Sequence, residues 1–442
     1  MHFNQLSNQS WNLLMDKKCI FRDIIYFDSS SMRLVQGDIS MVGGVITYVG
    51  ERDKDPEGII IPSEKFIALP GLVNAHLHPS KEIYGSILDS SPIDVVLDTV
   101  HRNNTLEDSE GQYVASLKAL MMALKKGVTT VGIFTSRIES DIRAAQQVKN
   151  RCKINFCQSN QWVGKGKGPE SENIETIVDK YLLAEEKYQS ELITILPATA
   201  SELSADDILL KKLHQLAHHH QKKFTLHIHE GAHQVYSHRN IFGESGIERL
   251  SRLGILDKHT TLIHCCHLSD SELDLLLSTQ CHIIHCPVSN SFVGAGALPL
   301  RRLSSHLDLG LGTDAAMVNP GNDLTFDALF ALYHHGDADF DTKVDAGKIL
   351  HMMMEGGARS LGLMNVGRIA SGFKADLIFF DKDRIDSDYI NTPVSLLKML
   401  HYEKPCKVMV NGETILNNYH FINPLLEGNN SAFSTIRKKV IV

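Results

Sequence analysis

Two histidines separated by one residue are the first feature of the chain with a clear chemical capacity. His76 and His78 end an apolar segment that is typical of a β-strand. Because side chains i and i+2 of a strand point to the same face, both imidazoles can bind one metal ion. Such a pair is a weak signal by itself, so the remaining ligands must come from elsewhere in the chain.

Later strand-like segments end in further residues that can bind a metal ion. His227, His229 and Glu230 follow one segment, His264 ends the next, and Asp314 ends the last. Imidazole and carboxylate ligands suit Zn²⁺ or Fe²⁺, and a bound water molecule would have its pKa lowered toward neutrality. By strand alternation His227 and His229 share a face, so either of them can be the ligand.

The segments that must position these residues alternate between strands and helices. Apolar strand candidates occupy residues 67–76, 128–134, 154–157, 192–197, 224–227, 260–264, 281–285 and 307–313. Amphipathic helix candidates between them include residues 110–125, 172–188, 205–218 and 270–277. We expect Ser204 to be the N-cap of the third helix. Eight such repeats predict an α/β protein with a parallel (β/α)8 TIM barrel, whose chemistry lies at the carboxyl ends of the strands.

Both ends of the chain contain short strand candidates. Gly43-Gly44 and Asn411-Gly412 are typical of hairpin turns. Neither end offers enough core alone, so we expect both to pack together as a small β-sandwich domain. The predicted domains are residues 1–68 for the first part of the sandwich, 69–366 for the barrel and 367–442 for the second part.

Composition excludes several classes of protein. The chain has 442 residues, of which 43% are apolar and 22% charged, as in an ordinary globular protein. Lys and Arg total 44 and Asp and Glu total 52, a net charge of −8 that disfavours nucleic acid or an anionic membrane as the main partner. We expect no membrane span and no secretory signal. The eight cysteines form no CxxC pair, which predicts reduced thiols and a cytoplasmic location.

Taken in order, the motifs resemble those of the amidohydrolase superfamily. They occupy residues 70–80, 227–230, 262–268, 285–290, 311–314, 356–362 and 367–377. More narrowly, they look like the branch that contains triazine chlorohydrolases, guanine deaminases and S-adenosylhomocysteine deaminases. The resemblance covers about residues 37–412, and the ordered set is far more specific than any single motif.

This resemblance implies a role for each candidate residue. One divalent metal ion, Zn²⁺ or alternatively Fe²⁺, would be held by four residues: His76, His78, His227 and Asp314. The family spacing of His, two residues, then Glu selects His227 and makes Glu230 the proton shuttle, provided that the chain bends where the strand ends. His264 would orient the attacking water, and either His264 or Asp314 can accept its proton. Relatives with two metal ions bridge them with a carboxylated Lys at the end of the fourth strand. In this chain that strand corresponds to residues 191–200, which contain no Lys, so the sequence favours one metal ion.

Residues that would contact the substrate are less clearly marked. Lys81 occupies a position where guanine deaminases carry a Gln that reads the purine edge, so a Lys suggests an electronegative group on the substrate. Alternatively, Lys81 points outward and pairs with Glu82. Three residues after the third strand can read and stack a flat heterocycle, or can be loop structure: Gln158, Gln161 and Trp162.

The leading hypothesis is a metal-dependent deaminase. It would use water to replace an amino group on an aromatic N-heterocycle (a pterin, a modified purine or a pyrimidine) and release ammonia. Guanine itself is disfavoured, because the Arg motif that guanine deaminases carry after strand four is absent. The alternative is a triazine-type chlorohydrolase or aminohydrolase, or a cyclic amide hydrolase. A non-catalytic barrel is the third hypothesis. The resemblance also implies a homodimer. The expected binding partners are a small heterocyclic substrate and water.

Overall fold

A computed structural model of the chain describes residues 17–55, 57–85, 91–103, 107–303, 308–319, 321–335, 344–385, 390–427, 433–435 and 437. These residues form an eight-stranded parallel barrel and a separate mixed sheet built from both chain ends. The fold therefore confirms the predicted (β/α)8 barrel with a β-unit from both ends. Residue 307 of the eighth predicted strand lies outside the described residues, as do residues 1–16, 56, 386–389, 428–432, 436 and 438–442 of the predicted β-domain.

The mixed sheet begins with five strands from the amino-terminal part of the chain. They are β1 (Cys19–Asp28), β2 (Arg33–Val42), β3 (Val45–Gly50), β4 (Ile59–Pro62) and β5 (Phe66–Pro70). β2 and β3 form the hairpin predicted at Gly43-Gly44. Gly44 has a φ of +78°, and a Cβ at this position would lie 2.4 Å from the Asn411 carbonyl oxygen. Only glycine fits this turn, and its close contact ties the two ends of the chain together.

The barrel strands follow each other in chain order. They are β6 (Leu72–Leu77), β7 (Val128–Thr135), β8 (Arg151–Cys157), β9 (Ile193–Ser201), β10 (Phe224–Ile228), β11 (Thr260–His264), β12 (His282–His285) and β13 (Leu309–Leu311). Backbone hydrogen bonds from Thr313 N and Asp314 N to the His76 carbonyl oxygen, 3.0 and 3.1 Å long, join the last segment to the first. Metal-capable residues at both ends of the strand series therefore become neighbours.

The prediction of one strand over residues 67–76 is wrong. The segment is divided at Gly71 into β5, in the mixed sheet, and β6, in the barrel. A Cβ at Gly71 would lie 2.0 Å from Thr129 Oγ1, so the chain passes between the two units in very close contact with β7. Periodicity cannot detect this break, because both strands are fully buried.

Helices lie between the barrel strands, after the last of them, and between two strands of the mixed sheet. They are α1 (Ile93–Asn103), α2 (Ser109–Lys125), α3 (Ile138–Val148), α4 (Ile174–Tyr188), α5 (Asp207–His219), α6 (Ala232–Phe242), α7 (Gly246–Arg252), α8 (Asp270–Leu277), α9 (Pro287–Phe292), α10 (Leu300–Leu303), α11 (Leu324–His334), α12 (Ala346–Met352), α13 (Glu355–Ser360) and α14 (Pro393–Tyr402). Short 3-10 turns occupy Pro79–Ile83, Lys382–Arg384 and Pro424–Leu426. The N-cap prediction for α5 is wrong: Asp206 caps the helix by accepting from Leu209 N, 2.8 Å away. Ser204 Oγ instead bonds to residues at the end of β9.

The carboxy-terminal strands complete the mixed sheet. They are β14 (Leu377–Asp381), β15 (Lys407–Val410), β16 (Glu413–Asn417) and β17 (His420–Phe421), in the order β17-β16-β15-β14-β5-β1-β2-β3 with β4 beside β1. A buried ion pair between Arg151 of β8 and Asp376, with N–O distances of 2.7 and 3.0 Å, links the barrel to this sheet. Phe433 belongs to a buried apolar cluster near the carboxyl ends of the barrel strands that also contains Tyr84. None of the described helices combines the length and apolarity needed to cross a membrane.

Candidate active site

The barrel strands that carry the candidate residues end in unusual backbone conformations. His229, His264 and Asp314 have φ values of 50°, 77° and 61°, in the left-handed region. Such a conformation costs a non-glycine residue about 1–3 kcal/mol and persists only where the surroundings hold it. All three residues lie just at or beyond the carboxyl ends of β10, β11 and β13. The chain therefore turns sharply where the candidate side chains enter the mouth of the barrel.

Three imidazoles and one carboxylate converge at this mouth. The Nε2 atoms of His76 and His227 are 3.2 Å apart. Asp314 Oδ1 is 3.5 Å from the Nε2 atoms of both His76 and His78. Single ligand atoms of His76, His78 and His227 lie within 4.8 Å of one another. Four ligand atoms from three strand ends thus surround one small volume.

The chemistry of this donor set fits a metal ion. Burial lowers the pKa of His76 to about 4 and that of both His78 and His227 to about 3, so all three rings are neutral at pH 7 and can offer a lone pair. Two nitrogen ligands bound at about 2.1 Å to a tetrahedral ion lie about 3.4 Å apart, close to the separations found here. His227 Nδ1 donates to the Ala200 carbonyl oxygen at 2.6 Å, which leaves Nε2 bare and facing the cluster.

The two histidines at the end of β10 point in different directions. His227 contacts the rings of His76 and His78, with centroid distances of 4.9 and 5.4 Å. His229 is fully buried, and its Nδ1 donates to the His267 carbonyl oxygen, 2.8 Å away. The bend at His229 ends the strand alternation that would place both rings on one face. The structure therefore brings His227, and not His229, to the other histidines.

Glu230, His264 and Asp314 form a second buried group beside the first. Single ligand atoms of the three residues lie within 4.8 Å of one another, and His264 Nε2 is 3.6 Å from Glu230 Oε1. Burial, reinforced by the charge of Asp314 and opposed by His264, raises the pKa of Glu230 to about 7. A carboxyl group with this pKa can both donate and accept a proton near neutral pH.

The segment after β12 supports this group from behind. Ser289 Oγ donates to Asp314 Oδ2 at 2.6 Å, and Asn290 Oδ1 accepts from His264 Nδ1 at 2.8 Å. His264 Nε2, on the other side of the ring, has no hydrogen-bond partner among the described residues. Sequence reasoning named residues 285–290 only as one of the family motifs and assigned no role to Ser289 or Asn290. Their position in a motif of the suspected family was the available signal.

Phe134 is a further residue that sequence reasoning missed. It lies on β7, and its ring contacts those of His76, His78 and His227 at centroid distances of 5.6, 5.5 and 4.4 Å. The benzene ring supplies an apolar wall that excludes water from one side of the imidazoles. Phe134 reaches the histidines because its side chain points into the barrel. Many residues on barrel strands point inward, so the sequence pattern alone did not single it out.

Lys81 is buried near the histidines and does not pair with Glu82. It lies on the 3-10 turn after His78, and its Nζ is 2.8 and 3.1 Å from the two carboxylate oxygens of Glu107. The same carboxylate accepts from Tyr84 and Arg137. The outward-pointing alternative for Lys81 is therefore wrong, and Glu107 is an acidic partner that the sequence did not reveal.

Gln158, Gln161 and Trp162 lie together in the loop after β8. Trp162 packs against His101 of α1, with ring centroids 6.2 Å apart, and burial together with Lys81 lowers the pKa of His101 to about 4. Within the described residues, Gln158 Oε1, Gln161 Nε2 and Trp162 Nε1 are buried and lack hydrogen-bond partners, and none of the three side chains bonds to the histidine cluster. Trp162 thus lies on the Lys81 side of the mouth, through its contact with His101.

Comparisons with known proteins agree on one family. The sequence profile of the amidohydrolase family matches residues 67–415. A 5-methylthioadenosine/S-adenosylhomocysteine deaminase from Pyrococcus furiosus is 28% identical over 378 residues, which cover 85% of this chain and 88% of that protein.

Solved structures share the fold. A zinc complex of the atrazine chlorohydrolase from Arthrobacter aurescens TC1 superimposes with a TM-score of 0.85 at 21% identity, covering 95% of this chain and 100% of that one. A zinc-bound adenosine deaminase from Xanthomonas campestris gives a TM-score of 0.84 at 21% identity, covering 95% and 98%.

Proposed function

The chain belongs to the amidohydrolase family, and from this premise we propose that it is a metal-dependent hydrolase that deaminates an aromatic N-heterocycle. The observation that carries the proposal is the convergence of His76, His78, His227 and Asp314 beside Glu230. The class is that of hydrolases acting on carbon–nitrogen bonds other than peptide bonds. A non-catalytic barrel gives no reason for this buried group of polar residues, two of which, His264 and Asp314, have left-handed backbone conformations.

We assign one divalent metal ion to the four converging ligand atoms. Zn²⁺ suits three neutral imidazoles and a carboxylate, and Fe²⁺ is the alternative. When bound, the ion would supply a water molecule that is nucleophilic near neutral pH. The zinc in the two structural neighbours supports this choice. The absence of Lys at the end of β9 favours one ion over two.

The neighbouring residues would move the protons of the reaction. Water attacks the ring carbon that bears the amino group, and either His264 Nε2 or Asp314 accepts the proton that this water loses. Glu230 donates its proton to the adjacent ring nitrogen and recovers the proton that the water lost. It passes this proton to the departing amine and is protonated again as the new hydroxyl becomes a carbonyl, a cycle for which a pKa of about 7 is well suited. The products are ammonia and the ring with oxygen in place of nitrogen.

The substrate panel follows from this chemistry and from the relatives. The deaminase from Pyrococcus furiosus is named for two adenine nucleosides, so 5-methylthioadenosine and S-adenosylhomocysteine open the panel, followed by pterins, aminopyrimidines and aminopurines. A chlorinated triazine and a cyclic amide test the alternative leaving groups. Mass spectrometry of the products decides: exchange of amine for oxygen supports deamination, whereas chloride loss or ring opening would replace it by the alternative.

Lys81→Ala should raise KM by about tenfold or more while the metal content stays unchanged. The ammonium group is bonded to Glu107, outside the ligand set, but its charge contributes to the lowered pKa of His78 and so acts at the site. Charge-assisted hydrogen bonds to a substrate contribute about 1.5–3 kcal/mol. Steady-state kinetics with the best compound of the panel, together with metal analysis, measure both effects. Lys180→Ala, at an exposed ion pair on α4, is the matched control. An unchanged KM would remove Lys81 from the substrate site.

Three further proposals come from the sequence. We propose a homodimer, which sedimentation velocity of the purified chain can test. We propose a cytoplasmic location, which cell fractionation can test. We also propose the domain bounds 1–68, 69–366 and 367–442, which limited proteolysis can examine. Gln158, Gln161 and Trp162 stay proposed substrate contacts, supported by buried polar atoms that have no hydrogen-bond partner in the described part of the chain.

A further inference from the structure

The bend at His229 decides where Glu230 points. Side chains three residues apart in a regular strand lie on opposite faces, so continued β-structure would turn Glu230 away from His227. The left-handed conformation of His229, with φ of 50°, ends the alternation one residue before Glu230. Glu230 consequently reaches the group formed with His264 and Asp314. The proposed proton shuttle therefore depends on a strained residue that is not part of the reaction.

Hydrogen bonds from two neighbouring segments hold this bend. The carbonyl oxygens of Ile228 and His229 accept from the backbone N–H groups of Cys265 and Cys266, at 3.0 Å each. The His229 ring donates to the His267 carbonyl oxygen. These contacts all come from the segment after β11. The remaining backbone group at the bend, the His229 N–H, points the other way, toward the segment after β9.

A glutamate side chain satisfies this last group. Glu202 Oε1 accepts from His229 N at 3.1 Å. Glu202 is only 1% exposed, and its second carboxylate oxygen has no hydrogen-bond partner among the described residues. Burying a carboxyl group that makes so few hydrogen bonds is costly, so its presence at this position calls for a physical reason.

Its neighbours hold Glu202 firmly in place. Arg249 Nη1 donates to the Glu202 carbonyl oxygen at 2.9 Å, and Arg249 is itself 1% exposed. A Cβ at Gly246, the first residue of α7, would lie 3.0 Å from Glu202 Cγ. The side chain is thus wedged between α7 and the bend, in position to accept the His229 N–H.

We propose that Glu202 is a positioning residue for the reaction: by accepting the His229 N–H it fixes the bend that aims Glu230 into the active site. The inference rests on the proposed function of Glu230, but among the described residues the Glu202 carboxylate makes no hydrogen bond to a candidate metal ligand. Only the side-chain oxygen that accepts the His229 N–H is required, so the uncharged side chain of Gln, which has the same shape, should preserve the bend.

Amide hydrogen exchange reads the hydrogen bond without any substrate. In the zinc-loaded full chain, Glu202→Ala should speed exchange at the His229 amide by about tenfold, the scale of one hydrogen bond, while Glu202→Gln leaves it close to wild type. Unchanged exchange in Glu202→Ala, or equal acceleration in both variants, would overturn the proposal. Melting temperatures of the wild type, Glu202→Ala and Glu202→Gln show whether each protein is folded. If Glu202→Ala does not fold, the exchange rate of the His229 amide in Glu202→Gln still tests the proposal.

A double-mutant cycle then separates positioning from general support. With the best compound of the panel, Glu202→Ala should lower kcat by about 10- to 100-fold with little change in KM or zinc content, because a misplaced catalytic group costs this much. In the Glu230→Gln background the same change should have almost no further effect on kcat. Additive losses would mean that Glu202 acts on something other than Glu230. Full activity of Glu230→Gln alone would instead reject the proposed proton shuttle, and the exchange experiment would still judge the hydrogen bond.

Discussion

Glu230→Gln should lose about 10²–10⁴-fold in kcat and keep a full complement of metal. The amide has the size and nearly the shape of the carboxyl group, so the buried pocket beside His264 is preserved. It cannot, however, take up and release a proton, and the ring nitrogen and the departing amine would then have no positioned donor. Stopped-time assays of ammonia and metal analysis of the same preparation measure the two quantities.

Glu175→Gln, on the exposed face of α4, is the control for this substitution. It makes the same chemical change far from the mouth of the barrel and should leave both quantities unchanged. Turnover of Glu230→Gln at the level of this control would show that another group carries the protons. Loss of metal together with activity would show that Glu230 is a ligand instead.

His76→Ala and Asp314→Ala should each lower the metal content of the purified protein and abolish most of the activity. Each change removes one of four converging ligand atoms and leaves a buried cavity in its place. The loss of metal affinity should exceed the 10- to 100-fold that weakening a hydrogen bond to a ligand costs. Titration with zinc in the presence of a competing chelator measures the affinity directly.

Two other variants provide an intermediate case and a control for the loss of zinc affinity. Ser289→Ala removes the hydrogen bond to Asp314 Oδ2 but no ligand, so its zinc affinity should fall by about 10- to 100-fold. His233→Ala removes an exposed imidazole on α6 and should change nothing. Equal zinc affinity in His76→Ala and His233→Ala would refute the assigned ligand set.

The barrel and the candidate ligand set could be predicted because each depends on local patterns. Parallel strands meet at their carboxyl ends, so residues that end successive strands become neighbours whatever the details of packing. This rule, together with strand alternation, was sufficient to predict that His76, His78 and Asp314 lie close together. The choice between His227 and His229 needed a family spacing, since alternation alone leaves both on one face.

The features that could not be predicted depend on partners distant in the chain. The pairing of Lys81 with Glu107 joins a 3-10 turn to a residue beyond α1. The bend at His229 is held from two sides, by Glu202 and by the segment after β11. The break at Gly71 follows from its contact with Thr129. None of these contacts leaves a periodic trace in the sequence.

Ammonia release and metal content, determined on one purified and zinc-reconstituted sample, test the central claim most directly. The sample is incubated with 5-methylthioadenosine, S-adenosylhomocysteine, pterins, aminopyrimidines, other aminopurines and triazines. The account predicts ammonia from one class of heterocycle and one metal ion per chain. A protein that binds no metal after reconstitution and releases no ammonia would contradict it.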